Sequence, residues 1–111
     1  MNEEGRIVVA SESGISIRSF NDISSALGAC LGSGGLILSE DDCSREFFDL
    51  RTGLAGELFQ KFINYGLRIA IVLPNPEPYG ERFSELAYEH ASHLLVRVVR
   101  SRDEADAWLC P

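Results

Sequence analysis

The chain has little of what catalytic and nucleic-acid chemistry usually requires. It carries two histidines, His90 and His93, three residues apart. A Ser-His-Asp or Cys-His set cannot be assembled around so adjacent a pair. As a metal site, His-x-x-His with Glu89 four residues before His93 still lacks a third firm ligand, so we expect helix-end polar residues and no metal. Basic residues are also scarce, 10 against 17 acids, for a net charge of −7. Nucleic acid demands a basic surface, because phosphate neutralisation supplies most of the non-specific affinity. Arg97, Arg100 and Arg102 are read as a solvated face around a strand end, and no nucleic-acid partner is expected. No apolar run has the length of a membrane span. Met1-Asn2-Glu3-Glu4 lacks the basic start and apolar stretch of a signal peptide. The expectation is a cytoplasmic protein without a membrane partner.

Cysteine is equally sparse. Cys30, Cys43 and Cys110 are odd in number and lack metal-type spacing. Cys30 falls on the apolar stripe of a predicted helix and reads as a buried thiol. Cys43, in Asp41-Asp42-Cys43-Ser44-Arg45, is expected to be the most exposed of the three. Its acidic neighbours should raise the thiol pKa, which argues against a nucleophile despite Arg45.

What is present is a globular composition: 111 residues, 45% apolar and 24% charged. That supports one domain over 1–111 with a single core. Ile7-Val8-Val9-Ala10 is a short apolar run and Ile15-Ser16-Ile17-Arg18 alternates with period two. With Ser13-Gly14 between them, the pair predicts an N-terminal hairpin. Asn21-Asp22 supplies a cap for a helix bearing Ile23, Ala26, Leu27, Cys30 and Leu31 at helical spacing, closed by Gly32 and Gly34-Gly35. Leu36-Ile37-Leu38 is a compact strand. A second helix from Thr52 to about Tyr65 carries Leu54, Leu58, Phe59, Phe62 and Ile63 on one stripe. Leu67 to Leu73 is almost wholly apolar, as in a central strand buried on both faces.

Pro74, Pro76 and Pro78 then hold an extended connection ending at Tyr79. A third helix carries Phe83, Leu86, Ala87, Tyr88 and Ala91, Leu94 to Val99 is a strand, and Asp103 begins a last helix. The order β-β-α-β-α-β-α-β-α predicts an α/β fold, a mostly parallel sheet covered by helices with the hairpin as an antiparallel edge.

The densest constellation runs from Phe47 to Lys61. Thr52 is placed to cap the second helix. The amides at that helix start, with Arg51, can hold a phosphate or carboxylate. The junction follows the Leu36–Leu38 strand near its carboxyl end, where open α/β sheets bind ligands. One of Phe47 and Phe48 is expected in the core and the other at an exposed contact. Glu57, Gln60, Lys61 and Asn64 form the helix's polar face, with Glu57 and Lys61 as an ordinary pair four apart. Two glycine patterns are set aside. Gly32-Ser33-Gly34-Gly35 precedes a strand, the reverse of a phosphate-cradling loop. Gly53-Leu54-Ala55-Gly56 lacks the Lys-Ser/Thr ending of a P-loop.

The segment Phe47-Phe48-Asp49-Leu50-Arg51-Thr52-Gly53-Leu54-Ala55-Gly56-Glu57-Leu58, with Gln60-Lys61-Phe62 and Asn64-Tyr65, closely resembles domain-of-unknown-function family 4180, an uncharacterised bacterial family. The likeness extends through the Leu36–Leu38 and Leu67–Leu73 strands to Glu104-Ala105-Asp106-Ala107-Trp108-Leu109. The chain departs from that family at Pro74-Asn75-Pro76-Glu77-Pro78, where a glycine-aspartate turn is usual. In Glu89-His90-Ala91-Ser92-His93 it keeps the family's glutamate without its asparagine and glycine. In element order and in Thr52-Gly53-Leu54 the chain also resembles, more weakly, the STAS domains of anti-sigma-factor antagonists. Gly53 matches the glycine of their Asp-Ser-x-Gly motif, which puts Arg51 in place of the phosphoserine. That likeness implies partner binding through this loop and helix.

The leading expectation is therefore a non-enzymatic regulatory or adaptor module that binds a protein partner, without a cofactor. Its contact set is Phe47, Phe48, Asp49, Arg51, Thr52, Gly53, Glu57, Gln60 and Lys61, with Arg51 the charged anchor, one phenylalanine the apolar anchor and Thr52 a cap or phosphoacceptor. A rival is a small-ligand binder or enzyme with an anion site at Arg51 and Thr52, Asp49 or Glu57 handling a proton. A third reading is a homodimer joined through the second helix.

Overall fold

The computed structural model describes residues 6–110; the Met1–Glu4 start lies outside them. Four strands form one sheet in the order β1-β2-β3-β4: β1 (Ile7–Val9), β2 (Gly35–Ser39), β3 (Ile69–Val72) and β4 (Val96–Val99). Every pairing is parallel, with Val8 opposite Leu36, Leu36 opposite Ile69 and Ile69 opposite Val96. The helices are α1 (Ala10–Ser13), α2 (Phe20–Cys30), α3 (Arg45–Phe48), α4 (Leu54–Asn64), α5 (Glu81–Glu89) and α6 (Arg102–Leu109). The chain is thus an α/β protein with an all-parallel sheet.

Alternation along the strands divides the core in two. Leu36, Leu38, Ile69, Ile71, Val96 and Val98 point to one face, where they pack with Ile23 and Ala26 of α2, Leu58 and Phe62 of α4 and Phe83 of α5. Ile37, Ala70 and Val99 point to the other, where among the described residues α6 covers them through Ala105 and Leu109. Both faces being packed explains the near-continuous apolar reading of β2 and β3. Gly35 is required for this second layer. Its φ is 148°, and a Cβ there would lie 2.7 Å from Leu109 Cδ2. Arg68 seals the same corner, donating to the Trp108 and Leu109 carbonyls at the end of α6.

The N-terminal hairpin is not formed. Residues 10–13 turn helically, Gly14 closes the turn in the left-handed region, and the Ile15 amide bonds back to Ala10. Ile17 makes a single parallel bridge to Cys43, and β1 pairs with β2 instead. Period-two spacing signals extended backbone with one side buried, but it does not name the neighbour. Ile17 has that one-sided burial at 0% exposure without belonging to the sheet. Gly14 serves as a helix terminator and not as a hairpin turn.

The start of α4 is also displaced. Leu50–Thr52 form a 3-10 turn, Gly53 is the N-cap with φ 79°, and the helix begins at Leu54. Thr52 is therefore not the N-cap expected of it, although its Oγ1 accepts from the Leu54 amide at 3.2 Å from one position before the cap. No helix among the described residues is long and apolar enough to cross a membrane.

Candidate functional site

The segment from Glu40 to Gly53 leaves β2 at its carboxyl end as three short helical pieces. Ser39 and Asp42 start it, the Asp42 carboxylate accepting from both the Ser39 amide and its hydroxyl. The α3 turn then buries both phenylalanines. Phe47 is 0% exposed and Phe48 7%. This corrects the expectation that one ring would be an exposed anchor. Phe47 meets Phe59 and Phe83 in the main core. Phe48 is covered by a neighbour distant in sequence, Tyr79, stacked on it at 4.0 Å between centroids. The Tyr79 hydroxyl in turn donates to the Glu40 carboxylate, tying the loop after β3 to the loop after β2.

Beside this stack lies an open cleft of about 420 Å³, between α3, the Leu50–Thr52 turn and the start of α5. Phe48, Tyr79 and Phe83 contribute its apolar side; Arg45, Arg51 and Arg82 contribute cations. Arg51 is held by Asp49, with Nε on Oδ1 and Nη2 on Oδ2, each at 3.0 Å. The guanidinium bond keeps the Asp49 carboxyl below its ordinary pKa and raises that of Arg51. Thr52 does not face this cleft as a free hydroxyl. Its Oγ1 lies within bonding distance of the Glu46 and Asp49 carbonyls, at 2.7 and 2.9 Å, while accepting from Leu54.

The nine predicted contact residues therefore separate into distinct places. Phe47 is core, and Phe48, Asp49 and Arg51 border the cleft. Thr52 and Gly53 form the joint into α4. Glu57, Gln60 and Lys61 lie on the outer side of α4, with Lys61 paired to Glu57 at 3.7 Å and Gln60 donating to Asn64 at 2.8 Å. Lys61 also lines a second groove, of about 290 Å³, between α2 and α4, with Leu27, Gly28, Leu31 and Tyr65.

Residues absent from that predicted set now complete both places. Arg45, Tyr79 and Arg82 reach the cleft from three separate elements, and no local spacing connects them. Phe20, Leu31 and Tyr65 are more than half exposed along α2 and the end of α4. Phe20 faces Gly53, whose Cβ would lie 3.9 Å from its ring. Leu31, expected on the apolar stripe of α2, lies just past its end and is exposed, while Ile23, Ala26 and Cys30 fill the buried stripe and leave Phe20, its first residue, outside.

Cys43 is buried, contrary to expectation, and Cys110 is the exposed cysteine. The bridge to Ile17 brings Cys43 under the loop, and burial, then Asp42, pushes its thiol pKa up. The histidines seal the outer edge of β4. His93 Nδ1 accepts from the Leu95 and Val96 amides, both at 3.1 Å, and His90 Nδ1 lies 2.9 Å from the Val96 carbonyl. The His90 carbonyl also accepts the Val98 amide. Arg97 is not simply solvated: it donates to the His93 carbonyl and lies 4.6 Å over the Trp108 ring.

No curated protein and no solved structure matches the chain, so the weaker STAS likeness gains no support. A protein-family model described as "Domain of unknown function (DUF4180)" matches residues 2–109. The chain belongs to that family, the Phe47–Tyr65 motif forming its α3–α4 corner.

Proposed function

We propose that this domain is a non-enzymatic regulatory or adaptor module that receives a partner protein's amphipathic segment on the surface made by α2, α4 and the Asp49–Gly53 turn. The observation that carries this reading is the exposed apolar pair Leu31 and Tyr65 on the α2–α4 groove, with Phe20 exposed at the other end of α2. Phe20 stands against Gly53, and Leu31 and Tyr65 line the α2–α4 groove beside Lys61. Exposed large apolar groups that adjoin one another beside polar residues are typical of interaction surfaces. A groove between two helices suits an amphipathic helix, whose apolar face fills it at spacings of three and four. Lys61 and Arg51 provide cations at the rim for an acidic residue on the partner.

The apolar anchor is thereby moved from Phe47 and Phe48, both in the core, to Phe20, Leu31 and Tyr65. Arg51 remains a charged contact, with its fork already oriented by Asp49. The test is affinity capture from native lysate, comparing wild type with the Leu31→Asp, Tyr65→Ser double variant. A protein captured by wild type and lost by the double variant is the expected result. Equal capture by both, or no captured protein, overturns the reading. Sedimentation of the two proteins separates out a second copy of the chain: a wild-type dimer and a double-variant monomer would make the partner the chain itself.

A further inference from the structure

We infer that the cleft between α3, the Leu50–Thr52 turn and the start of α5 is a binding site for the oxyanion of a small molecule, a phosphate or carboxylate, held by Arg45, Arg82 and Arg51. The site shares Arg51 with the surface proposed for a partner protein, but it rests on Arg45, Arg82 and Tyr79, which that surface does not use, and so stands whether or not a protein binds there.

Three observations converge on it. Its charge is the first. The protein carries −7 overall, yet this cleft gathers three of its ten basic residues against two acids, Asp49 and Glu81. One of those acids is already committed, since Asp49 grips Arg51 by both oxygens. Among the described residues no ion pair or hydrogen bond holds the Arg45 or Arg82 guanidinium. Two cations are therefore uncommitted, and a third is oriented with donors to spare, because a guanidinium has five N–H groups.

Its place in the fold is the second. The cleft opens beyond the carboxyl ends of β2 and β3, the end of a parallel sheet at which open α/β folds hold ligands. Residues from Arg45 to Arg82 are brought there by parallel pairing, not by proximity in sequence.

Its construction is the third. At about 420 Å³ it falls within the range of small-molecule sites. The Phe48–Tyr79 stack, with Phe83 at its edge, gives it a rigid apolar side, and the Tyr79–Glu40 hydrogen bond fixes that side between two loops. Gly80, the residue before α5, has no side chain to cap the helix, so the first amides of α5 border the same space without a side-chain partner from it. The occupant this predicts is a compact molecule with an oxyanion on the arginines and an apolar portion against Tyr79.

The test is a titration of the 15N-labelled protein with inorganic phosphate, pyrophosphate and citrate at low ionic strength, following the Gly80–Phe83 amides and the arginine Nε–H signals. Saturable shifts at those positions in the millimolar range or tighter are expected. The Arg45→Gln and Arg82→Gln variants, both at exposed positions, should each bind about tenfold more weakly, the loss expected for one charge-assisted hydrogen bond. Arg102→Gln, on α6 and paired to Asp106, should bind as wild type does. Preference for phosphate and pyrophosphate identifies a phosphoryl ligand, and preference for citrate a carboxylate. Shifts spread over all arginines, or affinities unchanged in the Arg45 and Arg82 variants, would show non-specific screening and overturn the site. Absence of any shift at Gly80–Phe83 would do the same.

Discussion

Asp49 and Arg51 form a closed fork: Nε meets Oδ1, Nη2 meets Oδ2, and the Arg51 amide returns to Oδ1 at 3.1 Å. Two residues apart, they lock one turn of backbone and one cation together at the edge of the cleft. The pair is solvent-exposed, so its worth lies in orientation more than in stability.

A titration should expose this fork. Because the folded Asp49 carboxyl titrates below its ordinary value, the pair's contribution is present above the unfolded carboxylate pKa, about 3.9, and is lost as pH falls through the lower folded value. Carboxyl 13C NMR should place the Asp49 midpoint below that of a free aspartate. In Arg51→Gln it should move upward, and an unmoved midpoint would remove the guanidinium as its cause.

Thiol accessibility should separate the three cysteines. Cys110 is exposed, whereas Cys30 and Cys43 are buried. Burial pushes the Cys30 thiol up to about 11 and raises Cys43 further. A disulfide reagent at pH 8 should therefore titrate one thiol quickly in the native protein and all three in denaturant. The sign for stability follows: folded thiols that hold their protons stabilise fully below the unfolded pKa near 9 and cease to as pH rises through the folded values. Two fast native thiols would contradict the packing of Cys43 under the loop.

The motif's phenylalanines should behave as core. Phe47→Ala removes a ring at 0% exposure, and a loss of about 3–5 kcal/mol is expected in urea unfolding. Phe20→Ala, at a ring 53% exposed, should cost about 0.5 kcal/mol or less. The opposite order would mean that the α3 turn does not carry Phe47 inward.

His93 has a structural role that exchange measurements can isolate. Replacing it with alanine leaves the Leu95 and Val96 amides without their acceptor, at a cost of about 1–3 kcal/mol. Amide exchange should quicken at Leu95 and Val96 more than at Leu38 or Ile71, which lie inside the ladder of β2 and β3. Uniform acceleration would assign His93 a general packing role instead.

Much of the fold was legible because burial leaves a period in the sequence. The stripe Leu54, Leu58, Phe59, Phe62 announces α4, and the apolar run through Ile69, Ala70 and Ile71 announces a strand covered on both faces. Ile15 and Ile17 show the limit of that logic, since alternation reports extended backbone with one side in the core whether or not a strand lies alongside. The failure at Phe48 has the same origin: its cover is Tyr79, 31 residues later and on another loop.

By itself, the sequence determined the α/β class, the positions of the main helices and β2 to β4, and family membership through the Phe47–Tyr65 motif. These depend on local propensity and on which residues leave water, and both are written along the chain. Only the tertiary structure decided that β1 lies beside β2, that both phenylalanines are inside, and that Arg45, Arg51 and Arg82 share one cleft with Tyr79. Those relationships come from parallel crossovers, which place residues from separate loops together at one end of the sheet. No spacing rule within a single segment encodes them.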